Sequence, residues 1–152
     1  MAFAAGTGIA TPTGTVAIEN LKVGNEVLTG AGSAPDLTWT PAAVTYVDGT
    51  PPGELHPEVC YIVFDAGRSL ICTKDQLFMR LDGTLAPAID LAVGDKLLDR
   101  DGNEVLIVEV AMATYSGEFY HFETSLSTKG SIDGHLILAG GVLAEDHGLP
   151  SG

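Results

Sequence analysis

A chain of 152 residues has room for about one domain, and a domain of that length buries roughly 70% of the surface its unfolded chain exposes. Its 45% hydrophobic and 18% charged residues, with 19 Gly and 8 Pro, describe a turn-rich globular protein and exclude a disordered or fibrous one. The 20 acidic residues outnumber the 7 basic ones for a net charge of −13, and no two Lys or Arg are adjacent, so neither nucleic acid nor an anionic membrane is an expected partner.

The opening "MAFAAGTG" lacks the basic start and long apolar stretch of a signal peptide, and no apolar run reaches the roughly 18 residues of a spanning helix. Beyond it, short runs rich in Val, Ile, Leu, Phe and Tyr alternate with Gly, Pro, Asp or Asn. In chain order these are "EVLTG", "AAVTYVDG", "EVCYIVFDAG", "RSLICT", "DKLLDRDG", "EVLIVEVAMATYSG", "EFYHFET" and "HLILAGG". Strands of this length and spacing predict an all-β fold. Helical periodicity is confined to Val16 to Leu21 and Ala86 to Leu91, where a single turn of helix is expected at most. Trp39 stands in a loop-like "LTWTP", and Gly6 and Gly8 read as turn residues, since "AGTGIA" lacks the third glycine of a dinucleotide fingerprint. Cys60 and Cys72 lie inside apolar runs and are expected as buried thiols on adjacent strands.

The chain also repeats itself. "GTVAIENLKVGNEVL", from Gly14, returns as "GTLAPAIDLAVGDKLL", from Gly83, with one residue inserted. A fainter echo comes after it, in which "VTYVDGTPPGELHPEVCYIVF" corresponds to "VEVAMATYSGEFYHFET". Two copies are too few for a solenoid. They predict one domain over residues 1–152 with internal pseudo-two-fold symmetry, its halves running roughly 14–73 and 83–139 and its tail 147–152. In both copies "TG" or "DG" before Thr supplies a tight hairpin turn.

Three blocks of sequence resemble the Hint domain, the module of inteins, bacterial intein-like domains and hedgehog autoprocessing domains. "AFAAGTGIATPTGTVAIENLKVGNEVLTG" resembles the family's first block apart from its leading Cys or Ser, "TKDQLFMRLDGTLAPAIDLAVGDKLL" its second, and "HLILAGGVLAED" its closing one. Together they run from Ala2 to Asp146, in the family's order. The resemblance implies a horseshoe of antiparallel strands and a self-catalysed acyl shift, in which the first side chain attacks the carbonyl just before it. Such a shift needs a nucleophile, a polarised amide and an acid for the departing amine.

Carried onto this chain, the resemblance puts Ala2 at the nucleophile position, where its methyl group cannot attack. Ala2 is open to two origins, a replaced nucleophile directly after Met1 or a natural Ala. Thr73 keeps the family's Thr, to bond the peptide before residue 2 or to end a strand in a turn. Gln76 stands where the family has its His and cannot shuttle a proton at neutral pH. His121 lies near the Asp that many inteins use in both cleavage steps, facing either inward or outward on an alternating strand. His135 matches the upstream His of the closing block, or else simply bonds a turn carbonyl at a strand start. Glu145 replaces the assisting His and Asp146 the terminal Asn, so cyclisation there is expected to be slow or absent, and His147 offers no acyl acceptor.

The expected function is therefore N-terminal self-cleavage by a divergent intein-like domain that lacks its nucleophile. A noncatalytic β-module within a larger protein is the alternative, and an unrelated β-sandwich a weaker one. No cofactor is expected. Cys60, Cys72, His56 and His135 lack zinc-ligand spacing, so no metal is expected either. Partners are expected to be the flanking polypeptide in cis, on a monomer.

Overall fold

The computed structural model describes residues 1–33, 36–126 and 135–146, and strands dominate it. In chain order they are β1 (Phe3–Ala4), β2 (Gly8–Thr11), β3 (Gly14–Ala17), β4 (Glu26–Ser33), β5 (Asp36–Gly49), β6 (Leu55–Phe64) and β7 (Ser69–Thr73). Then come β8 (Leu77–Met79), β9 (Leu85–Pro87), β10 (Lys96–Leu98), β11 (Glu104–Ser116), β12 (Phe119–Thr124), β13 (Leu136–Ala139) and β14 (Val142–Glu145). One-turn 3₁₀ helices occupy Ile18–Asn20 and Ala88–Asp90, inside the two segments with helical periodicity. Each predicted apolar run contributes a strand, although only Lys96–Leu98 of "DKLLDRDG" is in one. Trp39 differs from its expectation, for it lies in β5 opposite Gly30 and its indole N–H donates to the Arg100 carbonyl at 3.0 Å. Pairing with β4 through Pro41, which stands opposite Leu28, overrides the loop-like composition there.

All strand pairs are antiparallel, and one hydrogen-bonded path runs β10-β11-β6-β7-β1-β12-β5-β4-β13-β14-β8-β9, with the β2–β3 hairpin attached at β13. A sandwich of two separate sheets is thereby excluded. The most consequential strand is β1. Only two residues long, it is inserted between β7 and β12, with Phe3 opposite both Cys72 and Tyr120. At the other end of the chain β14 lies between β13 and β8, with Ala144 opposite Phe78. Phe3 and Phe78 meet edge to face, ring centroids 6.2 Å apart, and this contact ties the first strand to the strand that partners the last.

The sequence repeat becomes a repeated turn. After the first 3₁₀ helix the Lys22 N–H donates to Asn25 Oδ1 at 2.9 Å, and after the second the Ala92 N–H donates to Asp95 Oδ2, again at 2.9 Å. Gly24 and Gly94 take φ of 97° and 94°, and their N–H groups donate to the Val44 and Ile107 carbonyls. Leu21 and Leu91 are buried at equivalent places, while Val23 and Val93 are exposed. Side-chain caps at Asn25 and Asp95 stand in for the next turn of helix and aim the chain into β4 and β10.

The core is continuous around Phe64, Phe78, Phe122, Ile62, Ile107 and Ile137. Cys60 and Cys72 face each other across β6 and β7 as buried thiols, and burial pushes the Cys72 thiol well above its ordinary range. Such thiols pack as small hydrophobes. Gly140, in the β13–β14 turn, has φ +59°, and a Cβ there would come within 2.6 Å of the buried Leu70 side chain. Gly140→Ala is therefore expected to lose about 1–3 kcal/mol in urea unfolding. Gly141→Ala, whose Cβ would meet the movable Arg68 guanidinium, should lose less.

Candidate functional site

Thr73 ends β7 directly beside the start of β1. The Ala2 N–H donates to Thr73 Oγ1 at 2.9 Å, and the Thr73 N–H donates to the Ala2 carbonyl at 3.0 Å. These bonds hold the backbone of residue 2 on both sides, the first through the N–H of the peptide between residues 1 and 2 and the second through the carbonyl of the next peptide. The methyl group of Ala2 is buried in a small cluster with Val59 and Phe119, on the face of β1 opposite Phe3.

Two residues after Thr73, Asp75 Oδ2 lies 3.3 Å from the nitrogen of Met1. Burial raises the Asp75 carboxyl, but the Thr73 hydroxyl and the Met1 amino group outweigh it and hold the group below its usual range. The sequence motifs do not single out Asp75. Its place between Thr73 and Gln76 in "TKDQ" is the only signal they offer.

Gln76 is buried just before β8, and its amide Nε2 donates to the Glu145 carbonyl at 2.9 Å and the Leu77 carbonyl at 3.0 Å. The side chain thus links the second block to the end of the chain. His135 and Asp146 meet behind it, Nδ1 to Oδ1 at 2.8 Å with both side chains wholly buried, and the Asp146 N–H donates to the His135 carbonyl at 2.8 Å. His135 thus bonds a side chain and also accepts through its backbone. Register explains the pairing, because Leu136 opposite Glu145 puts their outer neighbours side by side.

Glu145 is also fully buried, and neither carboxyl oxygen has a hydrogen-bond partner among the described residues. Burial pushes this carboxyl up to about 7, His135 pulls against the shift and Asp146 adds to it. A narrow cleft brings Met1, Phe3, Gln76, His121, Glu145 and Asp146 together. His121, on β12, is half-buried at its rim, with Nε2 3.7 Å from Asp48 Oδ2 and its ring stacked 5.9 Å from Tyr46.

Of the seven positions drawn from the sequence, Gln76, His121, Glu145 and Asp146 line this cleft, Thr73 bonds the backbone of residue 2 and His135 bonds Asp146, whereas the Ala2 methyl faces away from it and His147 lies outside the described residues. Among the described residues no group of three His, Cys, Asp or Glu is placed to hold a metal ion. His56 is turned to Gly117 and Phe119, away from the cysteines.

A Hint domain family model matches residues 1–60. Among solved structures, the bacterial intein-like domain from Clostridium thermocellum is similar at 29% identity and a TM-score of 0.78, covering 95% of this chain and 98% of that one. The gp41-1 intein is similar in fold at 23% identity and TM-score 0.69, over 95% and 98% of the two chains. A DnaB intein from Synechocystis shares the fold at 18% identity and TM-score 0.72, over 95% and 97%. No curated protein matches the chain. With the antiparallel path that brings its two ends together, these similarities show that the chain has the Hint fold of inteins and intein-like domains.

Proposed function

We propose that this chain is a self-processing domain built to cleave the bond between residues 1 and 2 by an acyl shift, and that Ala2 leaves it without the nucleophile. The observation that carries the reading is the clamp on residue 2. Its N–H is held by Thr73 Oγ1 at 2.9 Å and its carbonyl by the Thr73 N–H at 3.0 Å. The N–H belongs to the bond to be cut and the carbonyl to the peptide after it, so the two bonds fix the backbone of residue 2 and its departing nitrogen beside that bond, and fixed geometry is a large part of the rate of an intramolecular attack. The Ala2 methyl group supplies no attacking atom. Nor does the C-terminal junction offer an amide nitrogen to cyclise, so cleavage after Asp146 is not part of the proposal.

The test is Ala2→Cys behind a short N-terminal fusion. Added thiol is expected to release the upstream segment, with the introduced sulfur attacking the preceding carbonyl to give a thioester, while the Ala2 fusion stays intact. Adding Gln76→His to Ala2→Cys is expected to speed release. Fusion persisting at full length for days in both variants overturns the reading and leaves the noncatalytic β-module in its place.

A further inference from the structure

An acyl shift at this junction has a proton to place. A thiol introduced at position 2 loses a hydrogen as its sulfur bonds the carbonyl carbon, and the nitrogen of residue 2 must gain one as the carbon–nitrogen bond breaks. Gln76 cannot carry that proton. Asp75 is bonded by the Thr73 hydroxyl, which favours its ionised form and makes it a poor donor. His135 has Nδ1 engaged with Asp146, and His121 stands at the rim beside Asp48.

Glu145 is different. Its carboxyl is wholly buried, both oxygens lack a hydrogen-bond partner among the described residues, and it shares the cleft with Met1 and with Gln76, whose amide grips its backbone carbonyl. A charged carboxylate with no bonded partner is expensive in such a place, whereas the protonated acid is tolerated and has a hydrogen to give. The charged groups facing it are His135 from the start of β13 and Asp146 beside it, one favouring and one opposing ionisation. The titratable His121 reaches the same cleft from β12.

Building on the self-processing reading, we propose that Glu145 is the acid of the N-terminal junction, supplying from the cleft the proton that Gln76 cannot. In the balanced step the Glu145 carboxyl protonates the departing nitrogen of residue 2, the thiol gives its proton to solvent, and Glu145 regains one from solvent. The sulfur–carbon bond forms, the carbon–nitrogen bond breaks, and Glu145 ends as it began.

The experiment measures thiol-dependent release in the Ala2→Cys fusion, with and without Glu145→Gln, from about pH 5.5 to 8.5, a range that brackets a carboxyl at about 7. Glu145→Gln is expected to slow release by about 10²-fold, within the usual range for losing a positioned acid. It should also abolish the high-pH decline caused by deprotonation of the acid. His121→Gln should leave that decline in place. Because Glu145→Gln could perturb folding, the ¹³C carboxyl resonance of Glu145 is titrated in the unmutated chain and in the Ala2→Cys variant. A titration coinciding with the decline supports the proposal. Release unchanged by Glu145→Gln, or a Glu145 carboxyl already ionised at the acid end of the range, overturns it while leaving the self-processing reading intact. Absence of any release with Glu145 present instead overturns that reading, and this proposal with it.

Discussion

His135→Ala is expected to destabilise the fold by about 3–5 kcal/mol, the usual cost of removing one member of a buried, bonded pair of titratable groups. The imidazole is fully buried, lies 2.8 Å from Asp146 Oδ1, and fills space at the start of β13 behind the last strand. Its removal opens a cavity and takes a bonded partner from a carboxyl group that water cannot reach. The loss would be a large share of the roughly 5–15 kcal/mol that holds an ordinary domain folded. Urea unfolding of His135→Ala, Asp146→Asn and the double variant measures it. Strong coupling between the two sites is expected. Additive effects would show that the pair contributes little as a pair.

The second large effect depends on pH. The Glu145 carboxyl sits at about 7 in the folded chain against 4.5 for an ordinary glutamate, so between those values the folded state holds a proton that the unfolded state has lost. Stability from this group is full below about pH 4.5, falls as pH rises, and is gone above about 7. Gln carries no such proton. Glu145→Gln is therefore expected to gain stability relative to the parent on going from about pH 5 to about pH 8, by at most about 3 kcal/mol at roughly 1.4 kcal/mol per unit. Measuring that difference at two pH values cancels any fixed packing cost of the amide. An identical difference at both would show that the carboxyl is ionised throughout.

Much of this was legible in the sequence, and the reasons are local. Strands β6, β7 and β11 arise from β-branched runs broken by Gly and Asp, and the two 3₁₀ turns from apolar residues three or four apart before a "VG" turn. Likewise Thr73 and His135 could be picked out because their blocks carry enough neighbouring residues to be aligned. Less could be read where contacts are distant. Trp39 is in a strand because β4 pairs with it, and no window around "LTWTP" contains β4's register. Similarly β1 is too short for any periodicity and exists only because β7 and β12 accept it from both sides.

By itself the sequence determined an all-β chain with a duplicated turn, and it determined the chemical inventory: a methyl group at position 2, an amide at Gln76 and two carboxylic acids at 145 and 146. These are covalent identities and local preferences, which need no neighbours to exist. Only the tertiary structure decided that Thr73 grips residue 2, that Gln76 bridges to Glu145, and that Glu145 is sealed from water with no partner for its oxygens among the described residues. Burial and hydrogen bonding across 69 or 71 positions of chain depend on which strands pair, and a carboxyl group acquires its acidity from those surroundings, not from its name.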